Sequence, residues 1–340
     1  MEFGVFYQIP CAADQTPAAR IRDTIAQCQL ADELGFDSAW LAELHFNPYF
    51  SVLSAPLMIA SAVAQATNRI RIGNAINLIP MHQPVRLAEE VATLDVLSNG
   101  RAIFGVGRGS MPSHYQGYGI DQEEGRERFL EGLDVVLGSW AQEDFKYQGK
   151  FYQSYGYRIT PRPIQKPHPP VYVAANSPDT FGIVGSLGHN ILVAPTIVTT
   201  QGALTGLESY REALAVNGHA AAKLKVNVNV PMHVAASEDE AVNGFEKTID
   251  NYLDTLREIG RARGASQGSS RATSLTPKIV MDEFAAVGTP DQVSAKLERF
   301  KDMYGPDEFM CWFNIGGMIP QAEVESSMRL FSQEVMPRFQ

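Results

Sequence analysis

Glu43 and His45 place a carboxylate and an imidazole two positions apart in the segment Trp40-Leu41-Ala42-Glu43-Leu44-His45-Phe46. The segment follows an apolar helical pattern and a Gly35-Phe36-Asp37 turn, so it reads as a buried strand opening into a polar tip. A histidine at such a tip offers general acid-base chemistry, and His114 stands in a similar relation to a later strand end. Leu44, between the two polar residues, cannot move a proton. For His45 a hydrogen bond that anchors the strand end is as good a reading as catalysis.

A second kind of chemistry is suggested by Phe104-Gly105-Val106-Gly107-Arg108-Gly109, a strand end with glycines and one arginine. Glycines let a ligand approach the backbone, and Arg108 can fork onto a phosphate, although a tight turn with a solvated arginine explains the same residues. Ala174-Ala175-Asn176-Ser177-Pro178-Asp179-Thr180 ends another strand and opens a helix, with Asn176 or Ser177 as N-cap and Pro178 in the first turn. Capping accounts for these residues, yet a helix N-terminus also attracts phosphate. Phe309 to Gly317 reads as a last strand ending at a Gly-Gly turn, which would put Asn314 at the catalytic mouth.

Other chemistries find no support. The seven histidines show no His-Glu-x-x-His and the three cysteines no Cys-x-x-Cys, so no metal site is expected. Neither a Gly-x-Ser-x-Gly elbow nor a Walker phosphate loop occurs. A net charge of −10 argues against nucleic-acid binding, which needs clustered Lys and Arg. The N-terminus enters a strand pattern at once, with no leader pattern and no apolar run of membrane-spanning length, and the expectation is a soluble cytoplasmic protein. Cys11, Cys28 and Cys311 suit reduced, buried thiols.

The elements that must position these residues alternate. Strands are expected at Phe3 to Phe6, Ser38 to Leu41, Ile70 to Gly73, Ala102 to Gly105, Val171 to Ala174, Ile191 to Val193, Lys225 to Val234 and Glu308 to Phe313. Helical spacing marks Ile21 to Leu34, Pro56 to Ala66, Val85 to Leu97, Asp179 to Ser186, Gly202 to Val216, Glu238 to Ile259 and Gln321 to Val335. About eight strand-helix units close a TIM (β/α)8 barrel, an α/β fold, and the 340 residues read as a single domain with insertions. One insertion, residues 144–170, looks like a hairpin followed by a proline-rich connector. The other, Arg261 to Ser274, is rich in Gly, Ser, Arg and Ala and reads as a mobile lid or a disordered loop.

In chain order these pieces resemble the bacterial luciferase-like, flavin-dependent monooxygenases. The likeness runs from Phe3-Gly4 and Ala31 to Phe46, through Pro84-Val85-Arg86, Leu94 to Arg101 and Phe104 to Gly109, to Pro170 to Ala174, Val287 to Pro290 and Met336-Pro337. It implies a luciferase-like TIM barrel using reduced FMN supplied by a separate flavin reductase, with a C4a-(hydro)peroxyflavin that oxygenates a small, largely apolar organic substrate. It places the FMN phosphate on Arg108, Arg126 and the turn Ala174, Asn176, Ser177 and Thr180. The isoalloxazine would lie along Asn74-Ala75-Ile76, where family members often have a non-proline cis peptide. It also implies a mobile loop over residues 261–285 and a homodimer through the helices at Pro56 to Ala66 and Val85 to Leu97.

Two positions depart from the family. Leu44 stands where luciferase has its histidine base, so either His45 or His114 takes over, or no base is needed, or the chain binds flavin without turnover. Asn176 stands where a glutamate is frequent. A deazaflavin-dependent oxidoreductase of the same fold and a non-catalytic flavin-binding protein are the competing readings.

Overall fold

The computed structural model describes residues 1–262 and 274–340. In chain order the elements are β1 (Glu2–Tyr7), α1 (Pro17–Leu34), β2 (Ser38–Leu41), α2 (Pro56–Ala66), β3 (Arg71–Asn74), β4 (Asn77–Leu78), α3 (Pro84–Leu97) and β5 (Ala102–Gly107). Next come α4 (Pro112–Gly117), α5 (Gly125–Ala141), the hairpin β6 (Lys146–Gln148) and β7 (Gln153–Tyr155), β8 (Val171–Ala174), α6 (Pro178–Leu187), β9 (Asn190–Val193), α7 (Pro195–Val198) and α8 (Thr200–Val216). The chain then forms β10 (Val226–Val234), α9 (Glu238–Ala262), α10 (Pro277–Glu283), β11 (Ala286–Gly288), α11 (Pro290–Tyr304), β12 (Glu308–Trp312) and α12 (Gln321–Glu334).

Parallel pairing runs β10-β12-β1-β2-β3-β5-β8-β9, and β9 pairs back onto β10, which closes an eight-stranded barrel. This is the TIM barrel expected from the alternating pattern. The extra strand β11 pairs with the far end of β10 through Met232↔Ala286, outside the closed ring. The expected hairpin is present as β6-β7. Residues 263–273 of the expected lid lie outside the described residues, while its last part contains α10.

Alternation sorts each strand's side chains into two cores. Phe3, Val5, Ile72, Phe104 and Val173 face the helices and join one large apolar cluster, in which each fully buried side chain contributes roughly 1.5–3 kcal/mol. Trp40, Ile103, Tyr172, Leu192 and Met310 point inward and fill the barrel. Beneath them the buried Glu308 accepts hydrogen bonds from Trp40 Nε1 (2.7 Å), Asn227 Nδ2 (2.8 Å) and Ser38 Oγ, so a polar network forms the floor of the barrel.

Helix α5 is absent from the elements read above. Its buried Phe129, Leu133, Val136 and Trp140 nevertheless carry helical spacing, and Trp140 Nε1 donates to the Ala88 carbonyl of α3 at 3.0 Å. Among the described residues no helix is long and apolar enough to cross a membrane. The three cysteines are free and buried.

Candidate active site

The C-terminal ends of the barrel strands surround a cavity of about 430 Å³. The cavity is placed by the close approach of β3 and β5. A Cβ on Gly105 would lie 1.7 Å from the Asn74 carbonyl oxygen, and one on Gly107 would lie 2.1 Å from Ile76 Cδ1. Glycine at both positions lets the chain after β3 lean across the barrel, bringing Ala75 and Ile76 to the cavity wall. The Ala75–Ile76 peptide is cis.

Glu43 is the hub of the neighbouring strand end. Its carboxylate takes Nε2 of His45 at 3.0 Å and Nε2 of His82 at 2.9 and 3.0 Å, and accepts the Leu78 amide at 2.8 Å. Burial pushes this carboxyl up, but the two imidazoles and the amide outweigh it and hold it at about 2. Burial lowers His82, and the Glu43 carboxylate more than restores it, so its folded value is raised. His45 is further fixed by Tyr118, whose hydroxyl lies 3.3 Å from its Nδ1, and the His45 amide donates to His114 Nε2 at 3.2 Å.

Across the cavity lies a cationic corner. Arg108, exposed at the end of β5, and Arg126, in the first turn of α5, line it together with Asn176, Ser177 and Thr180 at the start of α6. Ser177 Oγ and Thr180 Oγ1 lie 2.7 Å apart, a pair that presents hydroxyls next to the helix N-terminus. Arg126 rests on Asp179 at 3.4 Å with both side chains largely exposed, a weak pair from which the guanidinium is easily re-aimed. Two guanidiniums and a helix N-terminus make this corner suited to a phosphate.

The third wall is aromatic. Phe6, Trp312, Tyr252 and Phe50 form a continuous run of rings, with centroids 5.0 Å apart for Phe6 and Trp312, 5.3 Å for Tyr252 and Trp312, and 5.9 Å for Phe50 and Tyr252.

The family described as luciferase-like monooxygenase matches residues 1–306. The chain belongs to that family. Among curated relatives of this luciferase-like monooxygenase is the flavin-dependent trigonelline monooxygenase, oxygenase component, of Acinetobacter baylyi, 26% identical over all of this chain and 96% of that protein. Among solved structures, the monooxygenase RslO1 from Streptomyces bottropensis superposes with a TM-score of 0.86 at 27% identity over the whole of both chains. The oxygenating constituent of 3,6-diketocamphane monooxygenase from Pseudomonas putida, solved with FMN, superposes with a TM-score of 0.84 at 21% identity over 99% of this chain and 98% of that one.

In this luciferase-like monooxygenase the residues singled out from sequence divide clearly. Leu44, Ala75, Ile76, Arg108, His114, Arg126, Ala174, Asn176, Ser177 and Thr180 all line the cavity. His45 and Asn74 do not: His45 is buried against Glu43, and Asn74 is a buried residue at the end of β3. Asn314 is not at the mouth either; its side chain accepts the Ile319 amide at 3.1 Å and donates to the Ile319 carbonyl at 2.9 Å, bracing the turn after β12. The sequence reading missed His82, whose link to Glu43 no local spacing announces, and it missed that Glu43 gathers two histidines.

Proposed function

We propose that the chain is the oxygenating component of a two-component monooxygenase that uses reduced FMN, delivered by a separate flavin reductase, to oxygenate a small organic substrate. The observation that carries this is one cavity with a phosphate-suited corner at Arg108, Arg126 and the α6 N-terminus, and a lean apolar shelf at Ala75, Ile76 and Ala174 on the same side. The glycines that admit Ile76 make room for a flat ring system, and the donor set suits a phosphate monoester, so the residues present fit FMN. The FMN in a solved neighbour agrees with this reading. Reduced FMN, when bound, supplies the electrons that activate oxygen.

The chain's own residues hold, orient and enclose. Glu43 fastens the segment carrying Leu78, a cavity residue, to the β2 tip. Of the two histidines, His114 alone lines the cavity, and its Nε2 accepts the His45 amide. We assign the proton-handling role to His114 and a positioning role to His45. Leu44 keeps the former base position apolar, packed against the cluster that contains Phe50 and Tyr252. We further read the chain as a single cytoplasmic domain that pairs as a homodimer through α2 and α3.

The reading is tested with protein loaded with reduced FMN and exposed to ¹⁸O₂ in the presence of candidate substrates. Product carrying one ¹⁸O atom supports it. Tight binding of a reduced deazaflavin with none of reduced FMN overturns it. Arg108→Ala is expected to weaken FMN binding about tenfold, the scale of one charge-assisted contact, while the melting temperature stays put. Gly107→Ala is expected to fold, because the added methyl meets only the end of the Ile76 side chain, yet to lower FMN affinity about tenfold as Ile76 turns into the cavity. Flavin fluorescence titration measures both.

A further inference from the structure

The charged groups lining the cavity, Glu43, Arg108 and Arg126, lie on the side built by β2, β5 and α5. The neighbouring side is built by three adjacent strands, β10, β12 and β1, with α9, the loop after β2 and the segment before α10. There the wall consists of Phe6, Phe50, Tyr252, Met310, Trp312 and Leu275, and its polar groups are neutral. Two of these are tied to the protein: Gln8 Nε2 donates to the Phe50 carbonyl at 2.8 Å and Asn229 Nδ2 to the Met310 carbonyl at 3.2 Å.

Tyr252 is different. It is 7% exposed, its ring is wedged between Phe50 and Trp312, and among the described residues its hydroxyl makes no hydrogen bond. A hydroxyl in an apolar wall, with no partner among the described residues, gains from a ligand that satisfies it. Burial also raises the phenol's pKa, so the group remains a proton-bearing donor at every working pH. With the ring system placed on the charged side, this aromatic side is the space left for the substrate.

Resting on the proposed reading of the flavin side, we infer that the substrate is an uncharged, ring-bearing molecule with one acceptor oxygen, seated against Phe50, Tyr252 and Trp312 with that oxygen on the Tyr252 hydroxyl. The wall excludes carboxylates and ammonium groups, which would lose their hydration there without gaining a partner. Tyr252 acts on specificity by rewarding an oxygen that a hydrocarbon of the same shape lacks.

Calorimetric titration of the FMN-loaded chain tests this with three probes: acetophenone, its charged analogue 4-acetylbenzoate, and isopropylbenzene, which has nearly the shape of acetophenone without the oxygen. The wild-type chain is expected to bind acetophenone at least tenfold more tightly than either of the others. Tyr252→Phe should erase the tenfold preference over isopropylbenzene while leaving isopropylbenzene and FMN affinities unchanged. Equal binding of acetophenone and 4-acetylbenzoate, or a Tyr252→Phe chain that keeps the full preference, overturns the inference. Failure of the flavin reading looks different, since the chain would then take up no FMN whatever the ranking of the three probes.

Discussion

Replacing Glu43 with glutamine is expected to lower the unfolding free energy at pH 7 by about 3 kcal/mol, the scale of breaking a buried charge pair. The carboxylate is 3% exposed and takes three kinds of partner at once, the imidazoles of His45 and His82 and the Leu78 amide. A glutamine has one acceptor oxygen, so its amide nitrogen must face donors that now find no acceptor. The pH dependence gives the effect a signature. Burial raises the Glu43 carboxyl and its partners lower it further, from 4.5 to about 2, so its stabilising contribution is complete above 4.5 and is lost as the pH falls toward 2. His82 runs the other way: burial lowers it, Glu43 raises it beyond 6.5, and its contribution is complete below 6.5 and lost as the pH climbs through the raised value. Urea unfolding from pH 3 to 9 should show both limbs in the wild-type chain and shallower ones in Glu43→Gln, where Asp32 and the buried His189 and His233 still lose stability at low pH. Superimposable curves for the two chains would remove Glu43 from the stability of this site.

Gly105→Ala should be as damaging for a different reason. The added methyl would lie 1.7 Å from the Asn74 carbonyl oxygen, which is backbone and cannot rotate aside. Strands β3 and β5, registered through Ile72↔Ala102 and Gly73↔Ile103, must part to admit it. A loss of about 3 kcal/mol is expected, together with loss of FMN binding, because Ala75 and Ile76 ride on the displaced segment. The comparison with Gly107→Ala is decisive, since there the obstacle is a side-chain end. If both alanine variants unfold at the wild-type urea concentration, the close approach of β3 and β5 does not set this wall.

The sequence disclosed the parts of the site that follow local rules. Strands β2 and β8 begin and end where the reading put them, because each is an apolar run stopped by turn residues. Arg108 and the Asn176 to Thr180 turn were visible because a strand end and a helix start are both local features. The Glu43–His82 contact spans 39 positions and depends on how the chain after β3 folds back, which the one-dimensional pattern does not encode. His45 looked like a catalytic group for the same reason that it is buried: its place beside Glu43 on the strand tip hid which of its neighbours it would touch. Asn314 was misplaced because a Gly-Gly turn after the last strand needs its own bracing, and the asparagine is consumed in supplying it.

The packed inward side chains of Trp40, Ile103, Tyr172 and Met310, sealed below by Glu308, turn the barrel into a cup with one rim. Two guests in a cup share a doorway. Where one settles nearer the base than the other, the deeper must arrive first and depart last, so the order of arrival then follows from the shape of the cup. Excess of the shallower guest should then slow the escape of the deeper one without altering how tightly each is held alone.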